Sequence, residues 1–385
     1  MKSAVVVDCV RTPVGRSHKE KGYFRQVRSD DLAVHVVEAL LERTGIDPTQ
    51  VEDVVMGNTQ QHREQGFDVA RCVGLMSGLP AETGGVTVNR LCGSSLQALN
   101  QTAHAIMAGF EDVHVVGGLE HMHHLPMDTG YDPNPKLFRH TSQAAMHMGF
   151  TAEFLAQSRG ISREAQDKFA LSSHHKAAAA QHNDVFGNEI IPTWGHDEQG
   201  HKVLMESDQC VRPETNAEAL AALKPAFMPN MGTVTAGNSS PLNDGAAAML
   251  VMSEDKARSL GLTPLVRVVA TAVVGVDPCV MGTGPVPATR KALKRAGMSL
   301  SDVDLVELNE AFAAQALACL QDLEVDENRL NVHGGAIAIG HPLGASGARI
   351  GCTLIHAMVE RDATVGLATM CIGIGQGIAT VFERV

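Results

Sequence analysis

Aromatic residues are scarce, at 4% of 385 residues with one Trp and two Tyr. That argues against an aromatic-rich β-sandwich and suits close-packed α/β layers, as does the high count of 37 Gly. Positive charge is also short: 31 Lys and Arg against 43 Asp and Glu give a net charge of −12. A broad nucleic-acid surface is therefore excluded, and an anionic ligand would need a local basic patch. No run reaches the roughly 18 apolar residues of a membrane span. The start, Met1-Lys2-Ser3, passes at once into a strand-like run, with no charged segment followed by a long apolar one. No signal peptide is expected, and the location expected is cytoplasmic. The eight cysteines include no CxxC pair. They form no disulfide framework, fit a reducing compartment, and mostly read as small buried hydrophobes.

What is present is a chain with 44% hydrophobic residues, enough for a large core and two domains. Ser3–Val10, Val51–Met56 and Val113–Gly118 read as strands. Asp31–Thr44, after the capping pair Ser29-Asp30, and Leu91–Ala108 read as helices. The pattern returns with strands Leu265–Val274, Val303–Leu308 and Ala363–Met370, and helices Pro287–Ala296, Ala311–Leu320 and Ser346–Val359. This alternation predicts an α/β fold with a mostly parallel sheet. The two runs superpose at one shift of 252 positions (297 − 45 and 344 − 92), which places Cys92 on Gly344 and predicts a duplicated unit. The expected division is a first half, 1–262, with a loop domain inserted at about 120–240, and a second half, 263–385. Helices near Thr151–Ser158 and Ser162–Gln181 belong to the insertion.

Four motifs carry chemistry. In Asn89-Arg90-Leu91-Cys92-Gly93-Ser94-Ser95, a Cys opens an apolar helix, where free N–H groups and the helix dipole favour a thiolate. An inert buried Cys is the plain alternative. In Gly340-His341-Pro342-Leu343-Gly344-Ala345-Ser346, a His on a tight loop is badly placed for a core side chain and well placed as a general base. Met370-Cys371-Ile372-Gly373-Ile374-Gly375 follows a strand. Its spacing fits no phosphate loop, and it reads better as a proton donor beside an oxyanion hole. Asn309-Glu310 joins a strand to an apolar helix, either as a helix cap or as the holder of a water or oxyanion. His121, His123 and His124 do not make a closed tetrahedral set, so no metal site is expected.

Together these motifs resemble the thiolase family, and the resemblance runs along essentially the whole chain. It includes Gly275-Val276-Asp277-Pro278, Thr233-Val234-Thr235-Ala236-Gly237-Asn238 and Asn243-Asp244-Gly245-Ala246. It implies a thiolase-like fold of two duplicated βαβαβ-type halves, layered α/β/α/β/α, with the inserted loop domain. It implies cleavage of a 3-ketoacyl-CoA by coenzyme A, a co-substrate, with no permanently bound cofactor. Cys92 is then the acylated nucleophile, His341 its base and Cys371 the acid for the leaving carbanion. Asn309, through a water, and His341 would hold the thioester enolate, and the N–H groups of Cys92 and Gly373 the tetrahedral oxyanion. His147, Met148, Ala236, Ser240 and Phe312 match family positions along the pantetheine arm of CoA, and Arg212 would meet its nucleotide end. A homodimer or homotetramer is expected.

The overall look is similar to the thiolase subunits of bacterial fatty-acid oxidation complexes, so a complex partner is also expected. His147, Asn238 and Thr283 depart from that group toward acetoacetyl-CoA thiolases. The alternative is therefore an acetoacetyl-CoA-specific acetyltransferase. A ketoacyl synthase should lack the second reactive Cys371. A non-catalytic CoA- or lipid-binding subunit would not need Cys92, His341 and Cys371 together.

Overall fold

The computed structural model describes residues 2–385. The first half runs β1 (Ala4–Arg11), β2 (Gly15–Arg16), α1 (Ser29–Thr44), β3 (Asp53–Gly57), α2 (Val69–Met76), β4 (Val86–Val88), α3 (Ser94–Ala108) and β5 (Val113–His121). A long excursion follows, with α4 (Met148–Ser158), α5 (Arg163–His182), the hairpin β6 (Thr193–His196) and β7 (Lys202–Met205), and α6 (Ala217–Ala221). The chain then returns through β8 (Asn243–Ser253) and α7 (Glu254–Ser259). The second half comprises β9 (Val266–Gly275), α8 (Pro285–Ala296), β10 (Leu305–Leu308), α9 (Ala313–Leu323), α10 (Ser346–Glu360), β11 (Val365–Ile372) and β12 (Gln376–Arg384).

The main sheet has the order β10-β11-β12-β9-β1-β8-β5-β3-β4, with β2 also paired to β8. It is mixed, which corrects the expectation of a mostly parallel sheet. Only β10–β11, β3–β5 and β3–β4 pair in parallel, while the middle strands β12, β9, β1 and β8 are antiparallel to both neighbours. The sheet wraps around α3 and α10, whose apolar faces share one core with strands of both halves. The helices α1 and α2 cover the outer face of the first half, and α8 and α9 that of the second. The result is α/β/α/β/α layering. Among the described residues no helix is long and apolar enough to cross a membrane.

The duplication is visible in element ends: α3 and α10 both begin and end 252 residues apart (346 − 94 and 360 − 108). Helices α1 and α8 both stop at a left-handed glycine, Gly45 and Gly297, where a side chain would be strained. Two sequence-level starts need correction. Ser29-Asp30 lies inside α1, whose N-cap is Arg28; Ser29 instead donates to Glu64 through both its amide and its hydroxyl. Helix α3 begins at Ser94, not Leu91.

Candidate active site

That shift moves Cys92 out of the helix, one residue ahead of the cap Gly93. The turn holding it is strained: Leu91 has φ of 46°, a region that disfavours branched side chains. Asn89 Oδ1 accepts from the Leu91 amide at 2.9 Å, and Ser94 Oγ donates to the Leu91 carbonyl at 2.6 Å. These bonds fix the turn against its strain. The N-termini of α3 and α10 then meet closely. The Ala348 amide donates to Ser95 Oγ at 2.8 Å, and a Cβ on Gly347 would stand 2.2 Å from the Leu96 amide. This crossing sets the Cys92 turn beside the His341 loop.

The β11–β12 hairpin supplies the other wall. Its loop, Gly373-Ile374-Gly375, brings the Gly373 amide near the Cys92 sulfur, where it and the amide of Cys92 itself act to lower the thiol pKa. Two N–H donors thus converge on the thiol. Cys92 is half-buried, and desolvation pushes its pKa up to about 11 against the two donors. The resting group is a thiol. The thiolate expected from the helix terminus is not the resting state, because desolvation outweighs the donors and the helix has not yet begun. Cys371 lies one residue before the end of β11 and is pushed well above the ordinary thiol range, by burial first and then by the neighbouring Cys92 charge.

His341 is buried and held down to about 3, by burial and then by the charge of Arg349. Its Nδ1 lies 2.6 Å from Ser346 Oγ, and that hydroxyl donates its only proton to the Pro342 carbonyl at 2.8 Å. Nδ1 must therefore carry the ring proton, which leaves a lone pair on Nε2. Asn309 Nδ2 stands 3.4 Å from that Nε2. The contact made by the imidazole is thus with Asn309, and no hydrogen bond joins His341 to Cys92 in the resting geometry. The plain reading of Asn309 and Glu310 as helix caps fails. Helix α9 starts at Ala313, so Asn309 is free for the site. Glu310 accepts from Ser173 Oγ, Asn331 Nδ2 and the Ile337 amide, which fixes the loop before His341.

The residues matched to the CoA arm divide. Met148 and Phe312 pack with Cys371 in one apolar cluster, together with Ala152, Val234 and Met281. Ser240 donates to the Ala311 carbonyl through both its amide (3.0 Å) and its hydroxyl (3.1 Å). Ala236 and His147 are exposed, and the His147 ring meets Phe150 edge-on at 5.9 Å. Arg212 stands apart on an exposed turn. Its amide donates to His174 Nδ1 at 3.3 Å, and its charge adds to burial in holding His174 down to about 4. Phe227 escaped the sequence reading. It lies over Gly149, where any Cβ would strike its ring, and meets Phe312 edge-on at 6.0 Å. In a chain so poor in aromatics, a Phe set between Pro225 and Pro229 was the available signal. Two shallow clefts of about 430 and 570 Å³ flank α9, but neither is lined by Cys92, His341 or Cys371.

Of the histidine group, His121 stacks on His124 at 3.7 Å. Its Nε2 lies 3.0 Å from the Phe24 carbonyl, while His124 pairs with Glu64 at 2.9 Å. These rings tie the insertion to the first half.

Residues 4–255 match the family model described as thiolase, N-terminal domain, and 262–384 that described as thiolase, C-terminal domain. The 3-ketoacyl-CoA thiolase of Aeromonas salmonicida (strain A449) is 55% identical over 389 residues, covering 100% of both chains. That of Shewanella frigidimarina (strain NCIMB 400) is 56% identical, also covering 100% of both. The crystal structure of human mitochondrial 3-ketoacyl-CoA thiolase superposes with a TM-score of 0.91 at 39% identity, covering 100% of this chain and 99% of that one. With both family models matched across nearly its whole length, the chain belongs to the thiolase family.

Proposed function

We propose that the protein is an acyltransferase that cleaves 3-ketoacyl-CoA with coenzyme A, yielding acetyl-CoA and a shortened acyl-CoA in fatty-acid degradation. The observation that carries this reading is the convergence of the Gly373 and Cys92 amides on the Cys92 sulfur. Donors placed there are ready for an oxyanion once the sulfur has bonded to a carbonyl carbon.

His341 Nε2 takes the Cys92 proton as the sulfur attacks the 3-keto carbon, and the alkoxide forms between the two amides. The C2–C3 bond breaks, its electron pair passing into the thioester enolate held by His341 and by Asn309 through a water. Cys371 gives its proton to that carbon and acetyl-CoA leaves. His341 returns its proton to Cys371, its freed Nε2 takes the thiol proton of a second CoA as that sulfur attacks the acyl group on Cys92, and Cys92 recovers this proton as the shortened acyl-CoA leaves. Neither thiol is ionised at rest, so each proton moves when the partner charge develops. Met148, Phe312 and Phe227 line the approach to Cys371 and suit an apolar pantetheine arm. His147, Ala236, Ser240 and Arg212 are proposed for the rest of CoA.

The alternative, an acetoacetyl-CoA-specific acetyltransferase, rested on three departures, and two of these side chains are engaged locally. Asn238 Nδ2 donates to Asp167 at 2.9 Å and to the Thr233 carbonyl, and Thr283 Oγ1 donates to the Val280 carbonyl at 2.9 Å. This favours the broader substrate range, as do the names of the relatives. The two-half division with an insertion, the cytoplasmic location, a homodimer or homotetramer and a fatty-acid oxidation partner belong to the same proposal. The test is CoA-dependent cleavage of 3-ketoacyl-CoAs from about four to about sixteen carbons. Activity on medium and long chains is expected. Activity confined to acetoacetyl-CoA would favour the alternative, and none at any length would refute the thiolytic reading.

A further inference from the structure

We propose that Cys9, Cys352 and His356 form a metal site, separate from the Cys92 centre, that takes a soft d10 cation of the zinc(II) class. Their ligand atoms all lie within 4.8 Å of one another. Cys352 and His356 are one turn apart on α10 and so share a face. Cys9 comes from β1, which crosses beneath that face.

Cys9 reaches this position because of a β-bulge. The register of β1 against β8 slips between Val6 and Asp8, leaving Val7 unpaired. Without it, Cys9 would point outward with Val5 and Val7, toward the core under α1. With it, Cys9 joins Ala4 and Val6 in the core around α10, while Val5, Val7 and Val10 stay on the other side. Bulges commonly re-aim a side chain in this way.

The histidine is oriented as metal-bound imidazoles are. His356 Nε2 lies 2.9 Å from the Cys9 carbonyl, which can only accept. Nε2 therefore carries the proton and Nδ1 a lone pair, the arrangement by which a backbone carbonyl selects the coordinating nitrogen. Both sulfurs are fully buried, while the ring is only half-buried. Two acids border the cluster, and both are already engaged: Asp8 by Arg43 at 3.0 Å, and Glu189 by Arg11 Nε at 2.7 Å and Thr353 Oγ1 at 3.1 Å. A dication that displaces one proton from each thiol leaves two thiolates, a neutral imidazole and no net charge. That balance is what a buried position without a spare counter-ion requires. Three protein ligands leave one position of a tetrahedron open. The plain alternative is two small buried cysteines with the Cys352 side chain hydrogen-bonded to the His356 ring, and it does not call for the bulge that turns Cys9 toward that pair.

Cys92, Cys371 and His341 are a second group of two thiols and an imidazole, so the test must separate the two sites. The full-length Cys92→Ala protein, reduced, would be titrated with cobalt(II) while thiolate-to-cobalt absorbance and released protons are read. About one cation per chain and about two protons per cation are expected. Adding Cys9→Ser should remove the absorbance, and adding His356→Gln, a half-exposed change that spares the core, should weaken binding roughly 10-fold or more. No thiolate–cobalt band in Cys92→Ala protein would overturn the proposal. So would a band that survives Cys9→Ser, or an affinity that His356→Gln leaves unchanged. This test is independent of the thiolytic reading, because Cys92 is already removed.

Discussion

The Glu120 carboxylate, at the end of β5, accepts a hydrogen bond from the Gly344 amide at 2.9 Å, joining the first half to the loop that carries His341. The same buried carboxylate accepts from the Thr59 amide at 3.1 Å, from Gln65 Nε2 at 2.8 Å and from the Thr59 hydroxyl. Glu120→Ala would leave these donors unpaired in the interior. We expect a loss of about 3 kcal/mol in denaturant unfolding and a fall in kcat, with Glu120→Gln costing less because it still accepts through one oxygen. An unchanged unfolding midpoint in the Ala variant would refute the role of this carboxylate.

Ser346 acts on His341 by fixing its tautomer. Ser346→Ala removes the acceptor for the Nδ1 proton, so Nε2 no longer holds the lone pair in all molecules. We expect kcat to fall roughly 10- to 100-fold with little change in KM. Nitrogen NMR of the imidazole should show mixed tautomers in the variant and a single Nδ1–H form in the parent. A parent spectrum showing Nε2–H would overturn the assignment.

The resting pair is thiol and neutral imidazole, since Cys92 is raised to about 11 and His341 lowered to about 3. The ultraviolet difference between parent and Cys92→Ser protein should show no thiolate at neutral pH. A thiolate band there would mean an ion pair instead.

Linkage follows with a defined sign. From pH 6.5 down to about 3, position 341 is protonated in the unfolded chain and not in the folded one. Its contribution to stability is therefore lost as pH falls through that window. Between pH 7 and about pH 5 the parent should lose about 2 kcal/mol more unfolding free energy than His341→Asn. Equal losses would place the histidine pKa near its ordinary value.

Two glycines should fail for different reasons. At Gly347 a Cβ would strike the Leu96 amide at 2.2 Å, so Gly347→Ala must part α3 from α10 and disturb the active site with them. At Gly45 a Cβ meets nothing within 4 Å, and only the left-handed φ of 62° is strained. We expect losses of about 3 kcal/mol and about 1 kcal/mol, with activity reduced only by the first change. Equal activities would separate helix contact from catalysis.

Much of this architecture was legible in the chain. The 252-residue shift located paired elements because each half keeps the same turn glycines and the same alternation. The antiparallel middle of the sheet was not legible. Strand β8 returns only after the long excursion from β5, and strands buried on both faces, such as Asn243–Ser253, show no alternation to read. The bulge at Val7 was equally hidden, because one extra residue in an apolar run leaves no mark on composition. The residues proposed for catalysis stood out because Gly, Pro and Ser around Cys92, His341 and Cys371 are unlike core sequence. Phe227 and Ser346 were missed because their importance lies in what they touch across the fold.

In the second half, Gly344 occupies the place that Cys92 holds in the first. A Cβ there would sit 2.5 Å from the Leu119 carbonyl oxygen and 2.8 Å from the Asn58 Cα. The copy of the nucleophile's position is thus filled by the other half's own backbone. A chain built from two matching halves is in this way limited to one reaction centre by steric exclusion. A thiol could not be restored at the second position by substitution alone, because β5 and the loop after β3 would first have to move aside.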